Sequence, residues 1–285
     1  MGILLIVGAS LLFGVIPSVS KYVMLGGVQP CCMTLYTQCG LVVYGALCAA
    51  VRREDFRVPG KDIIQMLFLG AVGMGMTSFL INTACTLAPA GLVTVLHFLY
   101  PTVVSVVMIL LFGQKLTPFK ILAVAASITG MILIANPGKG TVQPLGIIFA
   151  LCSSLTYSFY IVSNDVGSIN RWPQFVKLFY CAIGSAAVMF LITASKQALR
   201  LPADGKAAVL AVLSGMCSFA AFYLINLGIR KVGASVASFV NMLEPITSVV
   251  TSLIVFHDVI TLPMAGGIVL VLSAVLFAAL GDSKG

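Results

Sequence analysis

Apolar stretches of about twenty residues follow one another along the whole of this chain, and that is the length a helix needs to cross the hydrocarbon of a bilayer. Ten of them are read, at roughly 2–23, 31–51, 63–86, 89–112, 117–135, 144–163, 174–195, 207–227, 233–256 and 262–281. Backbone N–H and C=O groups in hydrocarbon find no water, so each run must satisfy its own, which helices do. Soluble domains carry about a quarter charged residues; the 285 residues here are 60% apolar and 8% charged, too few charges for a wet surface. The expected fold class is an all-α integral membrane protein of ten transmembrane helices in the lipid bilayer. The connectors leave no room for a soluble domain. The first stretch has no basic leader and no small-residue cleavage site, so it reads as a membrane helix and not as a signal peptide.

Charge then sets the orientation. With the amino terminus inside, the inside loops and tail hold Arg52, Arg53, Arg57, Lys61, Lys115, Lys120, Arg171, Lys177, Arg230, Lys231 and Lys284. The outside loops hold Lys21, Lys139, Lys196, Arg200 and Lys206. Basic residues favour the cytoplasmic side, so both termini are expected there. The net charge of +8 is thereby topological, and no nucleic-acid partner is expected. The eight cysteines show no metal-ligand spacing and fall mostly within apolar runs, where cysteine packs as a small hydrophobe; neither a metal nor another cofactor is expected.

Sliding the chain against itself by 144 positions reveals a repeat. Gly2-Ile3 falls on Gly146-Ile147, Ser10-Leu11 on Ser154-Leu155, Tyr36 on Tyr180, Gly40 on Gly184 and Ile81-Asn82 on Ile225-Asn226. Ala90 falls on Ala234, Leu99 on Leu243, Pro101 on Pro245, Phe112 on Phe256 and Thr117 on Thr261. Residues 1–138 and 139–285 thus read as two five-helix repeats. Five is odd, so the second repeat enters from the opposite face. Inverted repeats with a midplane site between them are the architecture of many secondary transporters.

The proline positions carry a resemblance. The second repeat has Met242-Leu243-Glu244-Pro245 and then Phe256-His257-Asp258-Val259-Ile260-Thr261. The first has Phe98-Leu99-Tyr100-Pro101 and then Phe112-Gly113-Gln114-Lys115-Leu116-Thr117. Over nearly its whole length the chain resembles the drug/metabolite transporter superfamily, in its EamA-type ten-helix branch. That family places an acidic-Pro pair in the penultimate helix of each repeat, then a Gly-Glu turn and a Leu-Thr start to the last helix. Here Tyr100 stands for the first acid, Gln114 and Asp258 stand for the turn glutamates, and His257 replaces the second turn glycine. The resemblance implies export or exchange of amino acids and related metabolites, in a bacterial inner membrane.

Of the acids, only Glu244 falls inside a span. An intramembrane carboxylate is costly and is a functional candidate by default; it is read as a solute-binding and proton-coupling residue, against a structural role beside Pro245. His97 precedes Tyr100 by one turn, on the same face, and matches Asn241 as Tyr100 matches Glu244. His97 is the second proton-coupling candidate. Asn82 and Asn226 match each other, as do Ser10 and Ser154, and Phe13 and Tyr157. The expected solute site therefore comprises Asn82, His97, Tyr100, Asn226, Asn241, Glu244, Ser10, Phe13 and Tyr157, with Tyr160 extending an aromatic wall. Gln38, Thr34 and Thr37 suit either the central cavity or interhelical bonding, with packing favoured; Tyr36 and Tyr180 read as interfacial aromatics, and Gly70, Gly73, Gly75, Gly130, Gly266 and Gly267 as packing and hinge glycines.

The expected function is secondary transport of a small-molecule solute by alternating access, as an exporter or exchanger and with possible coupling to protons. Uptake or exchange of a small organic cation is the alternative. No Gly-Lys-Ser/Thr phosphate loop is present, and two histidines without metal-binding spacing make an enzyme the weaker reading. A channel is the other non-transporter reading. A monomer suffices, because the two repeats complete one pathway.

Overall fold

A computed structural model describes residues 1–88, 90–135, 142–200, 205–256 and 261–282. The repeat boundary at 138/139 and the turn residues His257 and Asp258 lie outside the described residues. The described chain is all helix, arranged as ten rods. In the first repeat these are α1 (Gly2–Leu25), α2 (Pro30–Val51), α3 (Gly60–Leu87), α4 (Ala90–His97 and Tyr100–Phe112) and α5 (Pro118–Ala135). The second repeat has α6 (Pro144–Val166), α7 (Gln174–Ser195), α8 (205–232), α9 (234–240 and Leu243–Phe256) and α10 (Leu262–Asp282). Leu4, Leu110, Leu191 and Ile254 point outward, a surface suited to lipid. Serines, asparagines and two lysines, Lys120 and Lys177, are buried instead.

The 144-residue register is visible in the helix ends. α2 and α7 begin at Pro30 and Gln174 and end at Val51 and Ser195. Beyond those ends, Arg53 and Gln197 are the positive-φ non-glycine residues among the described ones, at φ 54 and 51. The Tyr36 hydroxyl donates to the Arg200 carbonyl, and the Tyr180 hydroxyl donates to the Phe56 carbonyl. Each tyrosine thus holds the loop of the other repeat through positions that are themselves 144 apart. The helix pairing is crossed in the same way: α1 packs on α8 and α6 on α3, while α2 faces α7 and α5 faces α10. Two inverted five-helix repeats related by a pseudo-two-fold axis account for all of these pairs.

Two spans expected to be continuous are broken instead. α4 is interrupted at residues 98–99 and α9 at 241–242, within one residue of the 144 register. Proline supplies the cause: it has no N–H to give the carbonyl four residues earlier, so Pro101 and Pro245 leave His97 and Asn241 without that bond. The Asn241 carbonyl is taken by the Glu244 N–H at 3.0 Å, a tighter turn. α9 also starts at a kink, where Gly233 has φ +78 and ψ 163. A side chain is strained there, and the Asp165 carboxylate receives the Ala234 N–H at 2.8 Å.

Glycines set the closest inter-repeat contacts. A Cβ on Gly40 would lie 2.8 Å from the Gly215 Cα, and one on Gly184 would lie 2.0 Å from the Leu67 carbonyl oxygen. Gly70, Gly73, Gly75, Gly130 and Gly267 have similar neighbours, but Gly266 meets nothing within 4 Å, which corrects the packing role expected for it. Gly184→Ala is therefore expected to destabilise the protein by about 1–3 kcal/mol through overpacking. Gly266→Ala is expected to be neutral or slightly stabilising, since alanine favours helix by about 0.5–1 kcal/mol. Thermal melts in detergent read both.

Candidate functional site

A cavity of about 570 Å³ opens between the repeats, within the range of small-molecule sites. Phe13, Ile16, Pro17, Ser20 and Met24 line it from α1, and Pro30, Met33, Thr34, Thr37 and Gln38 from α2. Ser78, Ile81 and Asn82 come from α3, Thr94, His97 and Phe98 from α4, and Ile134 from α5. Ser218 and Phe222 of α8 and Glu244, Pro245, Ser248 and Val249 of α9 complete it. All the α1 to α4 residues but Phe13, at the middle of α1, belong to the half of their helix nearest the 26–29 and 88–89 connectors. The cavity thus runs from that face of the protein to the helix breaks near mid-span.

Its chemistry is one-sided. Among the described residues that line the cavity, Glu244 is the one carboxylate, His97 is the other ionisable polar group, and there is no lysine or arginine. The broken helices bring Glu244 there: the turn at 241–242 starts the second half of α9, and Glu244 falls in its first turn. Glu244 Oε2 receives a hydrogen bond from Asn241 Nδ2 at 3.2 Å. His97 Nδ1 lies 3.0 Å from Ser153 Oγ, and Asn82 Nδ2 donates to Thr34 Oγ1 at 2.8 Å. Phe13 meets Phe222 edge to face at 5.0 Å.

Four of the nine expected residues, Asn82, His97, Phe13 and Glu244, reach the cavity. The other five lie behind its wall. Ser10 donates to Asn241 Oδ1 at 3.1 Å, Asn241 Nδ2 donates to Tyr100 Oη at 3.1 Å, and Tyr100 Oη donates to the Ser238 carbonyl at 3.2 Å. Tyr157 packs against both Tyr100 and His97, with ring centroids 4.8 and 5.6 Å away. Tyr160, expected in an aromatic wall, is fully buried and donates to Asn226 Oδ1 at 3.1 Å. Asn82 and Asn226 match in sequence but not in exposure: one faces the cavity, the other is sealed. Gln38, Thr34 and Thr37, for which the sequence favours packing over a place in the cavity, line the cavity, and Thr37 Oγ1 also lies 3.1 Å from Ser214 Oγ. Ser20, Ser78, Thr94, Ser218 and Ser248 had no distinguishing signal among the apolar residues around them.

The opposite face, at the 52–59 and 167–173 connectors, is closed by polar contacts. Arg171 pairs with the buried Asp62 at 2.5 Å, and Trp172 Nε1 donates to the same carboxylate oxygen at 3.0 Å. Arg230 donates to the Asn170 carbonyl, and Asn170 Nδ2 donates to the Asn164 carbonyl at 2.9 Å. Asp62→Ala removes two of the side-chain bonds that tie the 168–172 turn down, those of Arg171 and Trp172. Arg171 is 63% exposed, so the loss in stability is modest. Amides of residues 168–177 should exchange hydrogen several-fold faster, while those of α5 and α10 stay unchanged.

The sequence matches the EamA-like transporter family over residues 1–136 and again over 144–280, once per repeat. An uncharacterized inner membrane transporter of Salmonella typhimurium, YicL, is 24% identical over 238 residues, covering 79% of this chain and 75% of its own. The S-adenosylmethionine uptake transporter of Rickettsia prowazekii is 21% identical, covering 74% of this chain and 69% of its own. A solved crystal structure superposes with a TM-score of 0.85 over 98% of this chain and 97% of its own, at 19% identity, which establishes likeness of fold. Matched in both halves, the chain belongs to the EamA-like transporter family of the drug/metabolite transporter superfamily and is a multi-pass membrane transporter.

Proposed function

We propose that this transporter is a secondary carrier for a small amine-bearing metabolite of the amino-acid class, and that Glu244 receives the positive end of the solute. One observation carries the reading: the cavity has a carboxylate at its mid-span end and, among the described lining residues, no lysine or arginine. An ammonium group supplies the partner that an intramembrane carboxylate otherwise lacks. Phe13, Phe98 and Phe222 give the apolar part of the solute a surface. The pseudo-two-fold repeat supplies alternating access, because each half can open towards one face. By the distribution of basic residues, both termini lie in the cytoplasm, the 26–29 face is outside, and the protein sits in a bacterial inner membrane. The carrier works as an exporter or exchanger, and Glu244, with His97 one wall away, can pass a proton when the solute leaves. A monomer contains the whole pathway.

A small organic cation is the second reading, favoured by the same carboxylate and the aromatic rings. S-adenosylmethionine, the solute named for the Rickettsia relative, carries a sulfonium charge as well as an amino-acid end and so belongs to both classes. Thermal melts in detergent with a panel of amino acids and quaternary amines separate them. A ligand present at a hundred times its Kd stabilises the folded state by about 2.7 kcal/mol. The reading requires that one class raises the Tm and that Glu244→Gln abolishes the shift. An equal shift in both proteins would remove Glu244 from the site.

A further inference from the structure

The open cavity has a closed image. The pseudo-two-fold that pairs Tyr36 with Tyr180 and Arg53 with Gln197 maps each cavity residue onto a position 144 away in the other half. Ser20 and Met33, which face the cavity from α1 and α2, map onto Asn164 of α6 and Lys177 of α7. In the closed half these two are joined: Lys177 Nζ donates to Asn164 Oδ1 at 2.7 Å and to Asn170 Oδ1 at 2.9 Å. The bond joins α6 to α7 at the two positions whose images, Ser20 of α1 and Met33 of α2, both line the open cavity.

Lys177 is fully buried, and its hydrogen-bond partners are two neutral amide oxygens. A cation at such a position is expensive and functional by default. A second observation lies beside it. Both side-chain atoms of Gln174, and Nδ2 of Asn226, are buried without a hydrogen-bond partner. Buried polar groups are nearly always satisfied, and an orphan calls for a reason. Their images, Pro30 and Asn82, lie on the open cavity. These orphans therefore cluster where the reversed state would bring water and solute.

We propose that the 52–59 face opens, when access reverses, into a second vestibule whose anion-binding residue is Lys177, and that Lys177 takes the carboxylate of the solute. This rests on the alternating-access reading above. It makes the two vestibules chemically unlike: the open one offers Glu244 to an ammonium group, and the reversed one offers Lys177 to a carboxylate. Such a pathway suits a zwitterion and disfavours a plain cation. Freed from Asn164 and Asn170, the ammonium group of Lys177 exchanges two amide oxygens for a carboxylate, a charge-assisted bond.

Two measurements test this. In proteoliposomes, sulfosuccinimidyl acetate, an anionic amine reagent that does not cross the bilayer, is applied to one face at a time and acetylation of Lys177 is read by peptide mass spectrometry. Lys61 and Lys231, exposed at the 52–59 face, report that the reagent arrived. Lys177 is expected to react from that face and not from the other; no reaction from the 52–59 face would overturn the vestibule. In detergent, Tm shifts are compared for a mixture of amino acids and the same mixture as amino-acid amides, which keep the ammonium group and lose the carboxylate. The wild type should respond more to the acids, and Lys177→Met should lose that excess while keeping the response to the amides. Equal responses in the wild type, or an excess that survives in Lys177→Met, would overturn the carboxylate role. Loss of the amide response in Glu244→Gln reports on the ammonium site separately, so either idea can fail alone.

Discussion

Glu244→Gln is expected to abolish transport of an amine-bearing solute while leaving the protein folded. The substitution keeps the length of the side chain and an oxygen that can still receive the Asn241 N–H, 3.2 Å away in the wild type. What it removes is the charge. A hydrogen bond to an ionised group is worth about 1.5–3 kcal/mol, so affinity should fall roughly ten- to a hundredfold. Proton coupling would be lost with it, because an amide does not titrate. Solute flux in proteoliposomes with and without an imposed pH gradient reads both effects. If flux in Glu244→Gln matched the wild type in size and pH response, Glu244 would be structural.

The second large effect is expected at Asn241, on stability. Its side chain ties three helices together at the α9 break, bonding Ser10 of α1, Tyr100 of α4 and Glu244 of its own helix. Ser10, Tyr100 and Asn241 all have no exposed surface. Asn241→Leu fills a similar volume but orphans polar groups on every side, at about 1–3 kcal/mol for each that finds no substitute. Ser10 keeps its bond to the Ile6 carbonyl and Tyr100 its bond to Ser238, which limits the total. A fall of several degrees in Tm is expected. Because the residues act as a unit, the cycle combining Ser10→Ala and Asn241→Leu should be clearly non-additive. Additivity would mean that the Ser10 contact contributes nothing.

The architecture was legible in the sequence because two signals reinforce each other. Run length marks membrane helices, and the single ungapped offset of 144 aligns helix ends such as Pro30 with Gln174 and Val51 with Ser195. The helix breaks at 98–99 and 241–242 were not read, although Pro101 and Pro245 were in view, because proline within a membrane helix is often accommodated without interruption. The site was half legible. Glu244, His97 and Asn82 stand out as polar residues in apolar runs, and they do reach the cavity. Tyr100, Asn226 and Asn241 stand out equally and do not. Symmetry predicts both members of each pair alike, whereas one conformation opens only one half. The face Phe13, Ile16, Pro17, Ser20 and Met24 follows helical spacing, but lipid makes every other face of α1 apolar too, so no polar stripe opposes it. Periodicity separates core from water well and cavity from lipid poorly.

The central claim is that the cavity belongs to a carrier whose two faces open in turn. Counterflow tests it most directly. Proteoliposomes are loaded with the unlabelled amino acid or amine that stabilises the protein in melts, and entry of the same compound, radiolabelled, is followed. A carrier predicts uptake that saturates with concentration and is accelerated by the trapped solute. Flux that rises linearly and is indifferent to what is trapped inside would contradict alternating access and make the cavity the mouth of a channel.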